Sequence, residues 1–180
     1  MCLDRRDIFK TQLRAILRAS YFGRVAVMLP MIVSVEEVRE AKTLLEECKR
    51  ELSTQGEKFD SKIEIGIMIE TPAASVMSEE LAKEVDFFSV GTNDLTQYTL
   101  AADRQNAMVS KICEKNAEPV LRLIKASAEA IHQKGGWIGV CGEMAADLSL
   151  TQRFADMEID ELSVSVPYLL GVRGKISECK

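Results

Sequence analysis

Two carboxylates, an amide, an arginine and a cysteine stand where short apolar runs turn polar. Glu70 closes "IEIGIMIE", Asn93 and Asp94 follow "VDFFSVGT", Arg104 ends "LTQYTLAADR", and Cys141 ends "WIGVC" ahead of Gly142 and Glu143. A carboxylate pair suits Mg²⁺, a hard cation that takes one or two protein carboxylates and leaves its other positions to water or substrate oxygens. The same two residues could instead cap the helices that follow them. Arg104 could meet a phosphate through two parallel N–H donors, or simply lie on the surface. Cys141 could be a small core residue or a reactive thiol. His132, the only histidine, falls near the end of an amphipathic stretch beside Gln133 and Lys134 and reads as a solvated helix-end residue.

The elements that must position these groups alternate between two kinds. Apolar, β-branched runs at 24–32, 63–69, 85–90, 137–141 and 161–166 predict five strands. They lack a clean apolar/polar alternation, which predicts parallel strands covered on both faces. Between them lie helical patterns. Ser34 and Glu37 have capping-box spacing, and Val35, Val38, Ala41, Leu45, Cys48 and Leu52 make one apolar face behind them. Thr71-Pro72 reads as an N-cap followed by proline at the first helical position. Pro119 predicts the opening of another helix, Gly135 its left-handed close, and Asp147 the cap of a helix that turns Leu150, Phe154 and Met157 inward. The polar candidates all fall just after strands, at the C-terminal edge of a parallel sheet, where ligands bind in both open α/β folds and barrels.

Bulk composition narrows the classes. The chain has 180 residues, 47% of them hydrophobic, which supports one domain with a core. A net charge of −5 argues against a nucleic-acid partner, which needs a basic face. No apolar run approaches the roughly 20 residues of a membrane span. The five cysteines are scattered without a CxxC, which predicts neither a disulfide framework nor a zinc site and fits a cytoplasmic location. The chain opens on a helical face (Ile8, Phe9, Leu13, Ile16, Leu17) with no strand before it. A (β/α)8 barrel takes roughly 250 residues. The expectation is therefore an α/β chain, residues 1–180 forming one partial TIM barrel whose opening strands are missing.

"GIMIETPAA", "VDFFSVGTNDLTQYTLAADR" and "GVCGEMAAD", in this order and spacing, resemble the C-terminal domain of the phosphoenolpyruvate–protein phosphotransferase family, enzyme I of bacterial sugar phosphotransferase systems. The resemblance runs from about Asp4 to the mid-170s. It implies a (β/α)8 barrel of the phosphoenolpyruvate/pyruvate type that dimerises. It implies Mg²⁺ on Glu70 and Asp94, phosphate held by Asn93 and Arg104, and Cys141 as acid/base on the substrate's methylene carbon. The implied partners are phosphoenolpyruvate or pyruvate, a separate N-terminal phosphohistidine domain and a second copy of the chain. The chain departs from the family in lacking the accepting histidine and two further phosphate-binding arginines, and in carrying Ala146 where glycine is usual. The expected function is thus the phosphoenolpyruvate-binding part of a phosphotransferase, inactive alone. Two alternatives stand beside it: a non-catalytic dimerisation or binding module, and a Mg²⁺-dependent, enolate-forming lyase of the same barrel type.

Overall fold

The computed structural model describes residues 3–115 and 117–179, so Cys2 lies outside the described residues. In chain order the elements are α1 (Arg6–Ser20), β1 (Ala26–Leu29), α2 (Val35–Thr54), β2 (Glu64–Ile69), α3 (Pro72–Val76), α4 (Ser78–Leu81), β3 (Phe87–Gly91) and α5 (Thr92–Leu100). They continue with α6 (Ser110–Lys115), α7 (Ala117–His132), β4 (Trp137–Cys141), α8 (Glu143–Ala146), α9 (Thr151–Asp156), β5 (Glu161–Leu162) and α10 (Val166–Glu178). All five strands are parallel and lie side by side in chain order, β1-β2-β3-β4-β5. A doubly wound sheet would reverse its strand order at a switch point. Unbroken sequential order is the pattern of a (β/α) barrel, and among the described residues the sheet does not close.

The two faces of this sheet differ. Val27, Leu29, Ile65, Ile67, Ile69, Phe88, Val90, Ile138 and Val140 point to one side and join one core with Leu13 and Leu17 of α1, Leu45 and Leu52 of α2, and Leu121, Ile124 and Ile131 of α7. Burying each such side chain is worth about 1.5–3 kcal/mol. The opposite face carries Ala26, Met28, Glu64, Met68, Ser89, Trp137 and Glu161, which are exposed or half-buried, and one buried side chain, Phe87. Burial on both faces, expected from the apolar runs, is therefore corrected. Helices cover only the outer face, and no described element covers the inner one. On that inner face Gly66 makes room for Phe87, whose ring stacks on Trp137 at 4.6 Å between centroids.

Local signals hold at several ends. Ser34 and Glu37 form the capping box of α2. Thr71 Oγ1 accepts Ala74 N–H at 3.1 Å and caps α3, with Pro72 at its first position. Gly135 closes α7 at φ +76°. Other expectations shift. β1 stops at Leu29 because Pro30 has no N–H and Met31 takes φ +55°. β5 is only Glu161–Leu162, and α7 starts at Ala117 rather than Pro119. Asp147 caps no helix: its carboxylate accepts from Ser149 N and Oγ in a tight turn, and Leu150 precedes α9. His132 is not simply solvated, since its Nε2 lies 2.9 Å from Asp160 Oδ2. The four described cysteines, Cys48, Cys113, Cys141 and Cys179, are unpaired.

Candidate active site

Strand parity decides what reaches the mouth of the sheet. Residues two apart on a strand share a face. Gly91 pairs with Cys141 in the β3–β4 ladder, and Ile69 pairs with Val90 in the β2–β3 ladder. Glu70, one step beyond Ile69, therefore falls in the row of Gly91 and Cys141, on the inner face. Gly91 is what admits it: a Cβ there would lie 2.9 Å from Glu70 Oε2.

Glu70 is 5% exposed, and its Oε1 accepts the Met31 N–H over 2.7 Å. It does not cap α3, a task Thr71 performs. Burial pushes its carboxyl above the usual range, the Met31 bond opposes this, and the nearby Asp94 carboxylate raises it further. Asp94 sits in the first turn of α5 and provides no cap; Gly91 precedes that helix without a side-chain bond. The polar stretch after β3 is thus the start of a helix rather than a loop. A carboxylate at the tip of β2 and another in the first turn of α5, facing one another, match the donor chemistry of a Mg²⁺ site.

The Cys141 thiol is half-buried, and burial raises its pKa. A bond with the Ser89 hydroxyl works the other way, while Glu70, Asp94 and Glu161 raise it further by charge. The net effect lifts the thiol above its ordinary value.

Asn93 and Arg104 lie on a neighbouring feature. Both line a cavity of about 310 Å³ with Thr96, Ser110, Cys113 and Glu143, and Glu70, Asp94 and Cys141 are not in that lining. Asn93 also borders an adjoining cavity of about 390 Å³ with Ser163 and Tyr168. Asn93 Oδ1 accepts Glu143 N–H at 2.9 Å, and Arg104 Nη1 lies 3.4 Å from Glu143 Oε1. The structure thus brings Glu70, Asp94 and Cys141 into one group and Asn93 and Arg104 into a second, joined through the consecutive pair Asn93-Asp94. His132 stands apart: its partner Asp160 also holds the N–H of Ile138 near the start of β4, at the opposite edge of the sheet.

Five contributors escape the sequence pattern. Met31 donates through its backbone, which no side-chain pattern reveals. Ser89 and Glu161 could be found by counting two back from Gly91 and by aligning β5 on Gly139. Thr92 and Gly142 lie inside the quoted runs, where charged neighbours overshadow them.

The family model for the PEP-binding domain of PEP-utilising enzymes matches residues 1–180. A phosphoenolpyruvate-protein phosphotransferase of Haemophilus influenzae is 53% identical over 165 residues, covering 92% of this chain and 29% of that protein. Its counterpart from Bacillus subtilis is 46% identical over 178 residues, covering 99% of this chain and 31% of that protein. The chain thus spans under a third of the length of these curated relatives. Among solved structures, a citrate lyase from Burkholderia xenovorans superposes with a TM-score of 0.69 at 20% identity, covering 93% of this chain and 53% of that one. A pyruvate kinase from Pyrobaculum aerophilum gives 0.58 at 16% identity, covering 95% and 39%. At these identities the superpositions speak to the barrel-type fold alone.

Proposed function

The chain belongs to the PEP-utilising enzymes, through their PEP-binding domain, and from that premise we propose that it is the phosphoenolpyruvate- and Mg²⁺-binding part of a phosphoenolpyruvate–protein phosphotransferase. One observation carries the reading: Glu70 at the tip of β2 faces Asp94 in the first turn of α5, and Cys141 shares the inner-face row of Glu70.

Glu70 and Asp94 would hold Mg²⁺, which when bound supplies positive charge to phosphate and enolate oxygens. The chain's own groups do the rest. Asn93 has its carbonyl oxygen engaged by Glu143 N–H, so its NH₂ is left to donate to a phosphate oxygen. Arg104 contributes a guanidinium. Its bond to Glu143, which is 81% exposed, is weak enough for a phosphate dianion to displace. As the phosphoryl group passes to a histidine nitrogen, the P–O bonding electrons remain on the enol oxygen. The enolate carbon then takes the Cys141 proton, giving pyruvate and a thiolate. His132 is on the wrong edge of the sheet to accept the phosphoryl group. That group goes to a histidine of a separate domain in the parent protein.

The same reading makes the parent a bacterial cytoplasmic enzyme serving sugar transport and a homodimer in solution. No described helix is long and apolar enough to cross a membrane. Val166, Leu169 and Leu170 of α10 are exposed, and such apolar area favours association.

The test is a ³¹P NMR titration of millimolar phosphoenolpyruvate with the purified chain. The expected result is line broadening that requires Mg²⁺ and disappears in Asp94→Asn, with no pyruvate released. Metal-independent broadening, or none at all, would overturn the proposal.

A further inference from the structure

The two strand tips of the site are joined by two contacts, and the proposed chemistry leaves the first of them unused. The fully buried Thr92 hydroxyl donates to the Cys141 carbonyl over 2.7 Å. Two residues beyond Cys141, Glu143 N–H donates to Asn93 Oδ1 over 2.9 Å. Between these bonds Gly142 takes φ +89°, and a Cβ on it would collide with Thr92 Oγ1 and lie 2.8 Å from Asn93 Oδ1. The approach therefore needs both a hydroxyl on one tip and a bare glycine on the other.

Cys141 and Gly91 are the last ladder pair between β4 and β3. Beyond them no sheet bond restrains either tip, and strand ends open locally at low cost. The Thr92 bond engages the carbonyl of the very residue that carries the thiol, and Thr92 adjoins Asn93 and Asp94. We infer that Thr92 is a positioning residue: through Cys141 O it locks the tip of β4 to the tip of β3, so that the thiol and the Asn93-Asp94 pair are presented as one rigid unit. This rests on reading Cys141 as the group that meets the substrate carbon.

The experiment compares Thr92→Val, which keeps shape and loses the donor, with Thr92→Ser, which keeps the donor. Iodoacetamide labelling at one pH is followed separately at Cys141 and at the buried Cys48 by peptide mass spectrometry. Losing one hydrogen bond should favour local opening about five- to tenfold. Cys141 is expected to label faster by that factor in Thr92→Val and within twofold of the unaltered chain in Thr92→Ser, with Cys48 unchanged in both. Equal labelling of Cys141 in Thr92→Val and the unaltered chain overturns the inference. So does Thr92→Ser behaving like Thr92→Val, or a parallel rise at Cys48, which would report general loosening. Should Thr92→Val not fold, the unaltered chain decides: the Thr92 hydroxyl proton should be visible by NMR in slow exchange with water, and fast exchange overturns the lock. Protection of Cys141 by phosphoenolpyruvate with Mg²⁺ is measured in the same assay. Its absence would count against the substrate reading while leaving the Thr92 comparison intact.

Discussion

The backbone N–H of Met31 donates to Glu70 Oε1 over 2.7 Å, so the tip of β1 holds the carboxylate at the tip of β2. Met31 makes this bond at φ +55°, a left-handed conformation uncommon for a side chain of this size. One oxygen of Glu70 is thereby fixed to the protein. Glu70 is thus a preset group rather than a mobile side chain.

That preset arrangement opposes folding stability. Glu70 is buried and faces Asp94, and both effects raise its pKa. A raised acid holds its proton more tightly when folded, so stability is greatest below the unfolded pKa and falls as pH rises through the folded one. Glu70→Gln keeps an oxygen for Met31 N–H and removes the charge. Without added metal it is expected to raise stability at pH 7 by about 1 kcal/mol, and to flatten the decline on the alkaline side of the usual carboxylate range. Urea unfolding of both chains across pH 4–8 measures this, and a less stable Glu70→Gln at pH 7 would contradict it.

Gly66 gives a test of the inner face. A Cβ at this position would sit 2.5 Å from the Phe87 ring, which stacks on Trp137, the only tryptophan. Gly66→Ala should cost about 1–3 kcal/mol through overpacking, less if the ring escapes toward the open side. In either case the stack is disturbed, so Trp137 fluorescence should shift to the red. An unchanged emission spectrum would show that the stack does not form.

The residue pattern alone makes much of this legible. Parity and run length place Glu70 and Cys141 at strand tips and Asp94 just beyond one, because an apolar run must end where the chain meets solvent. Apolar runs overstate the strand ends for a local reason: residues such as Val164 pack without joining a ladder. The uncovered inner face is marked only in part: Glu64, Ser89 and Glu161 are polar, but Phe87 and Trp137 on the same face are as apolar as residues in a closed core. The separation of Arg104 from the carboxylate pair is equally hidden. It depends on Glu143, whose charge partner lies 39 residues away in sequence.

Asp160 should behave oppositely to Glu70. Burial works to raise its pKa, but bonds from His132 and from Ile138 N–H outweigh this and hold it below the usual value. A lowered acid contributes stability that is present above its unfolded pKa and lost as pH falls through the folded one. Its side chain is 45% exposed, so screening limits the His132 contribution to less than about 1 kcal/mol. Asp160→Asn should therefore destabilise modestly at pH 7, with the difference from the unaltered chain vanishing below the acidic transition. Thermal melts from pH 2 to 7 would show it, and a constant difference across that range would refute the linkage.

The metal reading meets its strictest test at a residue with no charge. Removing either carboxylate must weaken a shared cation, so Glu70→Gln and Asp94→Asn should each lower Mg²⁺ affinity at least about tenfold. That result alone would not show that geometry matters. Gly91→Ala leaves both carboxylates in place but puts a methyl 2.9 Å from Glu70 Oε2 and 3.0 Å from its Cβ. Glu70 cannot retreat far, because Met31 N–H holds Oε1 and the side chain is buried. The methyl must therefore displace Oε2, the oxygen that Met31 does not hold. Gly91→Ala should lose Mg²⁺ affinity as fully as either charge deletion, while Cys141→Ser, which alters no carboxylate, should keep it within twofold. Mn²⁺ binding followed by electron paramagnetic resonance would give all four affinities. If Gly91→Ala bound as well as the unaltered chain, the ion would not be held between these two side chains.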